Sequence, residues 1–152
     1  MRPFAWIGLA CVIAGGLVSA AIAPSPTEHG AWAAAYLVLI CGVAQAALGV
    51  GQNTLAARPP TQRLTYTELI GWNLGNAAVI AGTLSNTNVV VFIGGAILVV
   101  VLGFFGYGVR RSAGATDSAA RPSWIVNGFR LLLLVLLISI PVGLVLAALR
   151  NG

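Results

Sequence analysis

Along this chain, long apolar runs alternate with short polar breaks. Five runs stand out: Phe4 to Ala23, Ala31 to Gln52, Glu68 to Ser85, Val89 to Val109 and Ile125 to Leu149. As a helix, the second run is about 33 Å long, enough to cross a hydrocarbon core of about 30 Å. The third is shorter and carries Asn73, Asn76 and Thr83, so it spans only with its amides turned towards other helices. Asn86-Thr87-Asn88 is a turn joining the third and fourth runs. The fifth is Leu-rich, and Pro141 within it predicts a kink, because proline withdraws one backbone donor. The pattern predicts an all-α integral membrane protein, a five-helix transmembrane bundle in one domain over residues 1–152. Cytoplasmic loops are expected at 53–67 and 110–124.

Composition agrees with the pattern and excludes an ordinary soluble domain. The 152 residues are 59% hydrophobic and 7% charged, with a mean hydropathy of +0.95, whereas soluble domains are about 25% charged. The net charge of +5 comes from eight basic residues, all arginine, against Glu28, Glu68 and Asp117. The arginines flank apolar runs, where they act as topological anchors and headgroup contacts, so nucleic acid is not an expected partner. Arg2, Arg58, Arg63, Arg110, Arg111, Arg121 and Arg130 fall on one side of the threading and Arg150 on the other. That bias predicts the N-terminus inside and the C-terminus outside. Alanine, glycine and arginine without lysine suggest a GC-rich bacterium, and the expected location is its inner (plasma) membrane. Arg110 and Arg111, at the cytoplasmic end of the fourth run, are expected to meet acidic lipid headgroups.

The first run ends in Ala21-Ile22-Ala23, which resembles a signal-peptide cleavage site. Its length and the following Pro24 favour an uncleaved first span. Cys11 and Cys41 both fall inside apolar runs and read as small buried thiols. Gly71-x-x-x-Gly75, Ala78-x-x-x-Gly82 and Gly42-x-x-x-Ala46 place smooth strips on the third and second runs, which predicts close helix packing within the bundle or against a second copy.

Polar residues inside the runs are the candidate chemistry, since each is costly in lipid unless partnered. Asn73, Asn76 and Thr83 share a face of the third run, and Gln45 and Gln52 share a face of the second. Two readings stand: interhelical hydrogen bonds that lock the two spans together, or a small polar cavity for a cofactor or lipid headgroup. Glu68 is placed at the edge of the third run, which leaves no carboxylate within the membrane. His29 is the only histidine. Trp32 and Tyr36 follow it by three and seven residues on one helical face, either as an interfacial aromatic belt or as walls for a macrocycle.

Thr27-Glu28-His29-Gly30, opening the second run from the outer side, resembles the start of helix two in subunit I of the haem-copper oxidases, and NnrS-like membrane haem proteins begin a helix similarly. In the oxidases a Thr-x-His-Gly-x-x-Met motif supplies an axial histidine to a low-spin haem. The resemblance covers Thr27 to Gln52; Thr27, His29 and Gly30 match, and Ala33 stands where the family has methionine. It implies either one haem ligand, His29, or only the ancestry of a shortened bundle. On the haem reading Trp32 and Tyr36 would wall the macrocycle, and His29 of a symmetry-related chain would complete the iron's coordination, since a twofold axis brings like residues together. The single histidine excludes the copper-bearing oxygen-reducing centre of that family.

The resulting expectation is a membrane protein without its own catalytic centre, an accessory, assembly or structural component of a membrane complex, respiratory if the resemblance carries function. No resident cofactor is expected on that reading. Membrane lipids, a second copy of the chain or a larger complex are its expected partners. The alternatives are a haem-binding electron-transfer protein using His29, and a small transporter or lipid-binding protein using the polar face.

Overall fold

Helices begin where the polar breaks supply caps. The computed structural model describes residues 2–55, 60–113 and 123–150, which form five helices and no strand. They are α1 (Arg2–Ile22), α2 (Glu28–Leu55), α3 (Gln62–Leu84), α4 (Asn88–Ala113) and α5 (Ser123–Arg150). Thr27 caps α2 by accepting the Gly30 N–H at 3.1 Å, and Thr61 caps α3 by accepting the Leu64 N–H at 3.3 Å. Both hydroxyls satisfy donors that the first turn of a helix leaves unpaired.

Four helices, α1, α2, α4 and α5, contain stretches long and apolar enough to cross a membrane. At 23 residues α3 is also long enough, but it is too polar to join them. Helix ends differ from the polarity pattern. The expected loop 53–67 is shortened at both ends, because α2 runs to Leu55 and α3 starts at Gln62, where Thr61 rather than the first apolar residue sets the start. Likewise α4 continues to Ala113. Within the two expected loops, residues 56–59 and 114–122 lie outside the described residues. Helix α5 continues through Pro141.

The chain forms two compact units, Met1–Val50 and Gly51–Gly152. In the first, α1 lies against α2 through backbone contacts that only small residues permit. A Cβ on Gly8 would stand 2.8 Å from the Gly42 carbonyl oxygen and 3.3 Å from the Ala46 methyl. Phe4, fully buried, covers Gly49 in the same way. Between Leu37 and Ala44 the helix widens into π turns, a rare geometry that recurs at functional sites.

In the second unit, α3 and α4 form an antiparallel hairpin. The Ser85-Asn86-Thr87 turn closes α3 with two bonds, Thr87 N–H to Gly82 C=O at 2.8 Å and Asn86 N–H to Thr83 C=O at 3.4 Å. Asn86 sits in the left-handed region at φ 53°, which asparagine tolerates better than most side chains. Gly75 meets Leu98, and a Cβ on Gly94 would come within 2.7 Å of the Gly75 carbonyl oxygen. The strip at Gly71, Gly75, Ala78 and Gly82 therefore packs within the chain, against α4. Helix α5 joins this unit, with Phe129 seated on Gly51 and Leu133 near Gly106.

Candidate functional site

Because α3 starts at Gln62, Glu68 lies in its second turn rather than at its start. The carboxyl is 0% exposed and the Gln52 side chain is 1% exposed. The Gln52 Nε2 donates to Glu68 Oε1 at 2.9 Å. Gly108 of α4 lies beside the amide, where a Cβ would stand 3.5 Å from Nε2. Trp72, one turn beyond Glu68 on the same face, is 1% exposed.

Three polar atoms here have no hydrogen-bond partner among the described residues: Glu68 Oε2, Gln52 Oε1 and Trp72 Nε1. Most buried polar atoms in proteins are paired, and one that is not costs about 1–3 kcal/mol. Together the three atoms present two acceptors and one donor, Gln52 on α2 and Glu68 and Trp72 on α3.

Three polar side chains of α3 bond to their own helix. Asn73 Nδ2 donates to the Leu69 carbonyl, Asn76 Nδ2 to the Trp72 carbonyl and Thr83 Oγ1 to the Val79 carbonyl, each at 2.8 Å and each four residues back along the same helix. Local back-bonding of this kind takes up donors a neighbour would otherwise need to accept. Gln52 and Glu68 make a hydrogen bond from α2 to α3. The polarity pattern puts Glu68 at the first position of its run and does not single out Trp72. The signal that finds both is the Thr61 cap together with the spacing Glu68, Trp72, Gly75, Asn76, which is one buried helical stripe.

Gln45 belongs to the first unit. It is 0% exposed, follows directly on the π segment, and neither its Oε1 nor its Nε2 has a hydrogen-bond partner among the described residues. Cys41, within that segment, is a buried free thiol, and Cys11 a half-buried one.

At the start of α2, His29 is exposed in the first turn. Trp32 and Tyr36 come together, with ring centroids 5.1 Å apart and planes tilted at 30°, within the range of about 4.5–7 Å for aromatic pairs. Both rings are half-buried. Thr27, part of the motif that suggested an oxidase helix, acts as the helix cap. Among the described residues no group of three or more His, Cys, Asp and Glu side chains gathers to hold a metal ion. The side chains of Arg110 and Arg111, the expected headgroup contacts, lie outside those described. Comparison with protein-family models, curated proteins and solved structures finds no match.

Proposed function

We propose that this protein is a small transporter-type protein of the bacterial inner membrane, which binds a small polar or ionic solute inside the bilayer at Glu68, Gln52 and Trp72. The observation that carries this reading is the enclosed Glu68 carboxyl, bonded through one oxygen to Gln52 while the other oxygen, the amide oxygen and the Trp72 N–H are unpartnered. Ionisable groups inside membrane spans are expensive, and those that persist mark solute or proton paths. On this reading α3 is the fifth crossing. Its polar groups are tolerated because three bond back to their own helix and the fourth, Glu68, meets Gln52. The arginine bias threads the bundle with its N-terminus in the cytoplasm.

Reconstitution into liposomes tests the reading. Wild-type protein should dissipate an imposed proton, sodium or potassium gradient faster than empty vesicles. Glu68→Gln should abolish that flux, while Glu28→Gln, altering an exposed residue of the first turn of α2, should preserve it. Wild-type flux equal to that of empty vesicles for all three ions defeats ion transport.

A further inference from the structure

We propose that the ligand of this site is a proton, carried by Glu68 as a carboxylic acid that closes a two-bond ring with the Gln52 amide. The inference rests on the transport reading above and names its ligand. The Gln52 Nε2 already donates to Glu68 Oε1 at 2.9 Å. The atoms left over on the two groups, Glu68 Oε2 and Gln52 Oε1, are both acceptors, and both are buried without a partner. Two acceptors cannot satisfy each other. A proton on Oε2 turns that oxygen into a donor, and the Gln52 oxygen accepts it; one proton therefore removes two orphaned atoms. It also needs no void, which matters for side chains 0% and 1% exposed.

Charge points the same way. An enclosed carboxylate requires a cation or several donors, and the recorded partner of Glu68 is one neutral amide. The charged and titratable groups on the described parts of the packed elements are Arg63 and Tyr66 on α3, Tyr107 on α4 and Arg130 on α5, all exposed; residues 51–55 of α2 supply none. The side chains of Arg110 and Arg111 are not among those described. Trp72 lies one turn from Glu68 on the same buried face, and its N–H has no partner among the described residues. When the site works, Glu68 gives up its proton. In that step the O–H bond of Glu68 breaks, the electron pair stays on the carboxylate, and the proton passes to a water molecule reaching the site.

Infrared difference spectroscopy of wild-type and variant proteins in lipid vesicles, in neutral buffer, tests this independently of flux. Subtracting Glu68→Gln from wild type should reveal a carboxylic-acid carbonyl band. Gln52→Leu should move that band to higher frequency, because its ring bonds are gone, and Glu28→Gln should leave it in place. Should Glu68→Gln fail to fold, Glu68→Asp supplies the assignment by shifting the band. If the difference shows carboxylate bands and no acid band, Glu68 is an ionised group with an unseen cation or water, and the proposal falls. An acid band that Gln52→Leu does not shift removes the ring. Flux without the acid band leaves transport standing and rejects the proton pair; the band without flux does the reverse.

Discussion

Helices α3 and α4 lie against each other along one hairpin and bury faces of opposite character. The buried face of α4 is Val91, Leu98, Val101, Leu102 and Phe105, whereas that of α3 includes Glu68, Trp72, Gly75, Asn76 and Gly82. Apolarity alone qualifies α4 to cross a membrane and leaves α3 short of it. The difference teaches how a polar helix is tolerated in such surroundings. Its amides and hydroxyl turn back onto their own carbonyls, its glycines bring the α4 backbone close, and the one carboxyl is met by an amide from another helix. In α4 the packing is made of side-chain volume; in α3 it is made of side-chain absence and of polar satisfaction.

The largest effect should come from breaking the contact the two helices share. A Cβ on Gly94 would stand 2.7 Å from the Gly75 carbonyl oxygen and 2.9 Å from the Val79 backbone nitrogen, and neither can yield without moving a helix. Gly94→Leu should therefore cost about 3 kcal/mol or more, seen as a large drop in thermal midpoint or as aggregation in detergent. A midpoint within a degree or two of wild type would mean that the hairpin does not hold in this form.

An intermediate effect is expected where α3 differs most from α4. Gln52→Leu keeps the volume at the site but withdraws the donor from Glu68, leaving both carboxyl oxygens without a partner. The expected loss is about 1–3 kcal/mol, measured by chemical or thermal unfolding in detergent. The double variant Gln52→Leu with Glu68→Leu should recover much of it, because two apolar groups leave no stranded acceptor. Equal stabilities for the single and double variants would break the coupling inferred from the 2.9 Å bond.

The smallest effect sharpens the same comparison. Asn73, half-buried, donates to Leu69 of its own helix, so Asn73→Leu should change stability by about 0.6 kcal/mol or less. A loss several times larger would assign Asn73 a partner on another helix and make the polar face of α3 an interhelical seam.

Much of this architecture was legible in the chain, and the reason is local. Within a bilayer every backbone group must be satisfied inside its own segment and every outward side chain must be apolar, so a crossing helix writes its presence into consecutive residues. The runs beginning at Phe4, Ala31, Val89 and Ile125 announce α1, α2, α4 and α5 in this way. The turn at Asn86 is equally local, since asparagine accepts the left-handed conformation that ends α3. Close packing at Gly42 and Gly75 could be anticipated from small-residue spacing, although the facing partners, Gly8 on α1 and Gly94 on α4, could not.

What tertiary structure decided is the fate of the polar groups. Nothing in the run of residues says that Asn73 and Thr83 would turn back on α3 while Gln52 would cross to another helix, because each donor chooses among acceptors that only packing supplies. Glu68 shows this most clearly. The polarity pattern alone puts it at the first position of its run; the Thr61 cap moves the start of α3 six residues earlier, and burial against its neighbours encloses the carboxyl completely. Apolar burial is non-directional and can be summed along the sequence, whereas a hydrogen bond needs a particular atom at about 2.9 Å and a suitable angle, and for Gln52 and Glu68, 16 residues apart, only the folded chain brings the two together.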